Sequence, residues 1–250
     1  NQMYVALFRG PDTPIENIPE WNPLYCEGIR VIIRYSEMNK SLNFCRALAE
    51  KGYKVFVQPM LTMRYNDSEL QTLIDESNDL EAYALYLVDS YGYMESHDVL
   101  KLFRRFDEGL SDRIRIGFHA HNNMNLAFSN VRTLVEQNSN RSIIVDSTIM
   151  GMGQGAGNMQ TELLIPYLNN KNTSNYDYYA VLEACEIIEA YWKDNLDTSN
   201  EEILKTLLKK CKINLKDFFN GIQDTKIKDK LNLLLNKEKI FSVEKLKNSK

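Results

Sequence analysis

The chain reads as an α/β protein built on a parallel sheet, and three observations predict this. Short β-rich apolar runs recur with starts about 25 to 35 residues apart, the length of one strand–helix unit. Amphipathic, helix-like stretches fill the gaps between them. A chain of 250 residues that is 44% hydrophobic can bury one large core, and the length suits an α/β barrel. Strands alternating with helices imply parallel pairing through right-handed crossovers.

The apolar runs cover residues 4–8, 29–33, 54–60, 83–89, 115–119 and 142–148. Val, Ile, Phe and Tyr dominate them without strict alternation, the pattern of strands buried on both faces. After the first run, residues 10–24 carry Pro11, Pro14, Pro19 and Pro23 and predict a loop or broken helix. Residues 36–51 place Met38, Leu42, Cys45 and Leu48 on one helical stripe that ends at Gly52. Residues 67–80 turn Leu70, Leu73 and Ile74 inward, with Asp67 as the expected N-cap. Residues 96–109 carry Val99, Leu100, Phe103 and Phe106, and residues 124–138 carry Leu126, Ala127, Val131 and Leu134. Six strands fit an open doubly wound sheet and six-eighths of a barrel equally well, so periodicity leaves both open.

The last part differs in composition. Residues 178–193 predict one longer helix, and 201–212, 215–222 and 227–235 shorter amphipathic ones, before a frayed end at 248–250. Residues 201–250 hold thirteen Lys against seven Asp and Glu, net +6, while the whole chain is −4. The expected division is a sheet domain over 1–170 and a helical extension over 171–250, its lysines forming a solvated face.

An overall charge of −4 argues against a nucleic-acid partner. No apolar run approaches the ~18 residues of a membrane span, and no signal-peptide pattern opens the chain. Cys26, Cys45, Cys185 and Cys211 form no C-x-x-C pair, which suits reduced thiols in a cytoplasmic protein.

The chemistry concentrates at strand ends. His119 and His121 close the fifth run two residues apart, so in a strand both imidazoles project from one face. Two neutral imidazoles make half of a divalent-metal site, although histidines at strand ends also simply bond backbone. The preceding run ends in Val88-Asp89-Ser90-Tyr91-Gly92 on the same rim. Asp89 could orient an imidazole and Ser90 could bond a substrate carboxylate, against the plainer reading of Asp89 as a turn cap. The third run exposes Gln58 or Met60 at its end. Gly151, Gly153, Gly155 and Gly157 alternate through a segment ending at Asn158, and their N–H groups suit an anion or carbonyl oxygen. Gly151-x-Gly153-x-x-Ala156 formally meets a dinucleotide fingerprint, but a helix, not a strand, is expected after it, which speaks against nicotinamide. His97 reads as a surface residue.

Together these motifs identify a resemblance. Gly117-Phe118-His119-Ala120-His121-Asn122-Asn123-Met124-Asn125-Leu126-Ala127, Val145-Asp146-Ser147-Thr148 and the run from Gly151 to Asn158 resemble the HMG-CoA lyase-like metal-dependent TIM barrels. That superfamily includes 4-hydroxy-2-oxovalerate aldolase, HMG-CoA lyase, and the isopropylmalate and homocitrate synthases. Val88-Asp89-Ser90-Tyr91-Gly92 is similar to its sixth-strand signature, and the nearest branch is the bacterial aldolase catalytic-domain proteins. The resemblance runs from about residue 3 to 170.

It implies a (β/α)8 barrel in which the histidine strand is the seventh. His119, His121 and Asn158 would hold a divalent metal, Mn²⁺ or Mg²⁺, with Ser90 and Asp89 as catalytic candidates. Ser90, Gln58 and Gly153 would contact a small 2-oxo acid. The implied reaction is retro-aldol cleavage of a 4-hydroxy-2-oxo acid to pyruvate and an aldehyde. Alternatives are a Claisen-type condensation of an acyl-CoA with a 2-oxo acid, or a barrel module without chemistry. A homo-oligomer and an aldehyde dehydrogenase partner are compatible with the family. The family's Asp-x-Thr-Leu-Arg-Asp-Gly motif on its first strand, source of a third ligand and an arginine, has no counterpart here. Two strand–helix units, about 50 residues, are expected to be absent, leaving these 250 residues inactive alone. Six of eight strands would leave two unpaired edges.

Overall fold

A computed structural model of the chain describes residues 3–137, 139–153, 155–171 and 175–196. The expected helices over 201–212, 215–222 and 227–235, and the end at 248–250, lie outside the described residues. Two compact units divide after Leu182, and the first contains the sheet.

Six parallel strands run in sequential order: β1 (Val5–Arg9), β2 (Gly28–Ile33), β3 (Lys54–Pro59), β4 (Ala84–Asp89), β5 (Arg115–Ala120) and β6 (Ile143–Val145). Helices α1 (Met38–Glu50), α2 (Asp67–Asp79), α3 (Ser96–Gly109) and α4 (Ala127–Val135) make the crossovers, and α5 (Thr161–Asn170) follows β6. This sequential order is that of a barrel, whereas a doubly wound sheet reverses at a switch point. Among the described residues, β1 and β6 are the sheet edges. Residues 10–24, expected as a loop or broken helix, form two short 3-10 turns and irregular backbone. Helix α6 (Tyr178–Leu196) takes up the expected segment 178–193, and no helix among the described residues is long and apolar enough to cross a membrane.

Residue alternation divides each strand between two environments. Ile29, Val31, Ile33, Val55, Val57, Leu85, Leu87, Ile116 and Phe118 face the helices and join one large core with Leu42, Leu48, Leu73, Phe106 and Val131. Phe56, Ala84, Tyr86 and Val88 form a second, smaller cluster on the opposite face. Burial of both faces is why these strands read as continuous apolar runs.

That opposite face is curled. Arg30 on β2 bonds Asp146, the residue after β6, at 2.5 and 3.0 Å. Four inter-strand steps in a flat sheet would separate them by about 19 Å, further than the two side chains reach end to end. The sheet therefore rolls around this face as a barrel wall does.

Several boundaries differ from expectation. The last strand is shorter than 142–148, because Thr148 instead pairs with the segment around Gln160. The helix expected over 124–138 starts at Ala127, after Asn125 adopts a left-handed φ of 58°. The N-cap of α2 is Asn66, not Asp67: its side chain accepts Glu69 N–H at 3.0 Å, and the Glu69 carboxylate accepts Asn66 N–H at 2.8 Å. Cys26 and Cys45 are free thiols, and burial pushes the Cys45 thiol up to about 12.

Candidate functional site

The C-terminal rim of the sheet gathers most of the expected site residues. His119 lies on β5 and faces the curled side, 22% exposed. His121 follows it, and the two ring centres are 5.2 Å apart at an interplanar angle of 78°. Each ring is tied at the same atom. Nδ1 of His119 lies 2.9 Å from Asp146 Oδ2, and Nδ1 of His121 lies 3.1 Å from the Gly157 carbonyl oxygen. A carboxylate and a carbonyl only accept, so in the neutral rings both Nδ1 atoms carry the proton. The lone pair then sits on Nε2, the arrangement of metal-binding histidines whose other nitrogen is held by an acceptor.

Asp146 was not singled out from the sequence. Burial opposes its charge, but the His119 hydrogen bond and the Arg30 guanidinium outweigh it and hold the carboxyl below its usual range. Arg30 also donates to the Tyr86 hydroxyl at 2.5 Å, with its guanidinium carbon 4.5 Å from that ring centre. Burial, with Asp146 adding to it, pushes the Tyr86 phenol far above its usual range. A signal existed for Arg30: a charged residue inside an apolar strand must find a partner.

The glycine segment folds back onto the histidine strand. Met159 N–H donates to Ala120 O at 3.1 Å and Asn122 N–H to Gly157 O at 3.0 Å, which sets Asn158 opposite His121. The Asn158 amide nitrogen donates to Met152 O at 3.0 Å. Its Oδ1 is buried without a hydrogen-bond partner among the described residues. Gly153 makes room for this side chain, since a Cβ there would come within 2.4 Å of Asn158 Nδ2.

Ser90 sits just beyond β4 and lines an open cleft of about 380 Å³ with Tyr91, His121, Asn123, Gly155 and Ala156. Its Oγ accepts Leu61 N–H at 2.9 Å, so its own hydrogen remains to donate. Gln58 lies on β3, 5% exposed, with Oε1 buried and without a hydrogen-bond partner among the described residues. Asp89 takes another course. Its carboxylate, 2% exposed, accepts Tyr93 and Met94 N–H at 3.1 Å each and so anchors the loop after β4. Burial raises its carboxyl, and these N–H groups offset that only in part. The carboxylate bonded to His119 is thus Asp146. His97 is 75% exposed beside Glu95 and Asp98, away from the histidine pair.

The donor chemistry can be tested against a divalent cation. Two imidazole Nε2 lone pairs and one unpartnered amide oxygen suit such an ion as a partial ligand set. Among the described residues, no three His, Cys, Asp or Glu side chains come together as a metal-holding group.

Known proteins resemble this chain in sequence and in fold. The chain is 29% identical over 193 residues to the 4-hydroxy-2-oxovalerate aldolase of Bacillus thuringiensis (strain Al Hakam), covering 76% of this chain and 54% of that protein. It is 34% identical over 124 residues to the one from Chloroflexus aggregans, covering 48% of this chain and 35% of that protein. The chain thus spans about half the length, or less, of these relatives. Among solved structures, the N-terminal domain of a candidate aldolase from Bacteroides vulgatus superposes with a TM-score of 0.65 at 21% identity, covering 100% of this chain and 77% of that one. The hydroxymethylglutaryl-CoA lyase of Pseudomonas aeruginosa gives 0.60 at 17% identity, covering 76% and 70%. At such identity the structural likeness speaks to the fold alone. A family profile described as HMGL-like matches residues 33–188, well over half of the chain, and the chain belongs to the HMGL-like family.

Proposed function

We propose that in the natural protein this sheet carries a divalent-metal-dependent carbon–carbon lyase acting on a 2-oxo acid. The favoured reaction is retro-aldol cleavage of a 4-hydroxy-2-oxo acid to pyruvate and an aldehyde. One observation carries the reading: His119 and His121 are both tied at Nδ1, beside an Asn158 oxygen without a partner. His119, His121 and Asn158 would hold the cation, and two imidazoles suit Mn²⁺ better than the harder Mg²⁺. When bound, the ion supplies Lewis-acid polarisation of the substrate carbonyl.

The chain's own groups do the rest. The Ser90 hydroxyl donates to the substrate carboxylate, and its oxygen is steadied by Leu61 N–H. Asp89 positions Ser90 by fixing the loop that begins there. Gln58 offers a buried amide whose Oε1 can accept a substrate hydroxyl. Gly153 holds open the space in which Asn158 lies. An aldehyde dehydrogenase that consumes the aldehyde, and a homo-oligomeric assembly, belong to the same proposal.

The test is pyruvate release from 4-hydroxy-2-oxovalerate by the natural protein, stripped of metal and reloaded with Mn²⁺. His119→Ala and His121→Ala are expected to abolish it. Undiminished activity in both variants would overturn the proposal, and release of CoA from acetyl-CoA in place of pyruvate would assign a condensing enzyme instead.

A further inference from the structure

We propose that Arg30 and Asp146 are positioning residues that form a strap across the curled face and fix the tautomer and plane of the His119 imidazole. The inference rests on the metal-site reading for its consequence in catalysis. The tautomer itself is a property of the metal-free chain.

Arg30 holds Asp146 through two nitrogens, Nη1 to Oδ2 at 2.5 Å and Nη2 to Oδ1 at 3.0 Å. A planar fork on a planar carboxylate leaves Asp146 little rotational freedom. The fork is itself seated: Nη2 donates to the Tyr86 hydroxyl at 2.5 Å, and Tyr86 is fully buried. The guanidinium also lies over the rings of Tyr86 and Phe56, at 4.5 and 5.8 Å from their centres. Asp146 Oδ2, so oriented, meets His119 Nδ1 at 2.9 Å. An ionised carboxylate can only accept, so this contact selects the Nδ1–H form. Contributions from β2, β4 and the end of β6 thereby converge on one ring of β5.

His121 provides the contrast. Its Nδ1 is held by the Gly157 backbone carbonyl, which no side-chain substitution removes. At Nδ1, His119 is thus held by a side chain and His121 by backbone. Arg30 acts through Asp146, not on the imidazole directly, so the two form one unit.

The experiment uses the full 250-residue chain, labelled with ¹⁵N-histidine, free of metal and at a pH well above the histidine range. Long-range ¹H–¹⁵N correlation reads the tautomer of His119, assigned by its loss in His119→Ala. The wild type is expected to show the Nδ1–H form, and Asp146→Ala a mixture richer in Nε2–H. Predominant Nε2–H in the wild type overturns the proposal even if Asp146→Ala does not fold. An unchanged tautomer in folded Asp146→Ala also overturns it.

Mn²⁺ titration supplies the second arm. Arg30→Met and Asp146→Ala are each expected to weaken Mn²⁺ binding about 10–100-fold, as loss of a group that orients a ligand does. The double variant should be no weaker than Asp146→Ala alone. Full additivity would show that Arg30 does not act through Asp146. A wild type that binds no Mn²⁺ would instead refute the proposed metal site, while the tautomer measurement still decides the strap.

Discussion

The ring of Tyr86 on β4 occupies the space that a side chain at position 117 on β5 would fill. A Cβ placed on Gly117 would come within 2.4 Å of Tyr86 Cε2 and Cζ. The tyrosine can cross the neighbouring strand and hold Arg30 with its hydroxyl only because that strand has no side chain there.

Gly117→Ala is therefore expected to overpack the curled face. Tyr86 is fully buried and bonded to Arg30, so it has no room to swing away. Overpacking of this kind costs about 1–3 kcal/mol. Denaturant unfolding should show that loss, and Tyr86→Leu in the same background should recover part of it by removing the clash. No loss on Gly117→Ala would mean that Tyr86 packs elsewhere.

Gly153→Ala should separate site from stability. Its added Cβ meets the Asn158 amide at 2.4 Å rather than core packing. The backbone of Gly153 has no positive φ to disfavour alanine. Mn²⁺ affinity is expected to fall about tenfold or more as Asn158 is displaced. The urea midpoint should stay within the small range of surface changes, about 0.5 kcal/mol. Equal losses in both measurements would show that the glycine serves folding instead.

These two glycines illustrate what could be read in advance and what could not. The strands β3, β4 and β5 fall within one residue of their expected limits, and α3 matches 96–109 throughout, because burial on both faces and helical periodicity are local signals. Helix α5 has no counterpart among the expected elements, and it carries Pro166 inside it. The His119–His121 pair was legible from its spacing of two. Asp146 was not, because its partners lie 27 and 116 positions away and are brought to it by the curl of the sheet. Asp89 is an acid beside a motif in both views, but which carboxylate meets the imidazole depends on which face each strand residue takes.

Acid should expose the Asp146 strap through its linkage to stability. Its carboxyl titrates below the usual range, against the cost of burial, because His119 and Arg30 favour the charged form. A depressed value in the fold adds stability that is fully present above the unfolded value, about 3.9, and is lost as pH falls through the folded one. Asp89 is shifted upward by burial, so its ionisation counts against the fold as pH rises through its own value. Below about pH 5 the Asp146 contribution to the urea midpoint should therefore fall with acid, against the opposite trend from Asp89. Asp146→Asn should flatten that slope by up to ~1.4 kcal/mol per pH unit, the limit for one proton. A steeper slope in Asp146→Asn would reverse the assignment.

Arg141 offers a control at the far end of the sheet. Its side chain is 5% exposed and bonds the Asp107 carboxylate at 2.7 Å. It also donates to the carbonyl oxygens of Ser111, Ile114, Asp107 and Leu110 at 2.6 to 3.0 Å. These carbonyls lie at the end of α3 and in the turn leading to β5, so one guanidinium closes both. Arg141→Met removes this donor from the carbonyls and leaves Asp107 the Ser139 hydroxyl at 3.1 Å, and removing one partner of such a buried pair costs about 3–5 kcal/mol. Asp107 is 32% exposed, so water recovers part of its loss and the lower end of that range is expected. Arg141→Lys should recover little, because a single ammonium cannot serve a carboxylate and four carbonyls spread around a planar fork. Under conditions where Arg141→Met remains folded, its Mn²⁺ affinity and His119 tautomer should match the wild type. A change in either would mean that strain at the N-terminal ends of the strands travels to the histidine rim.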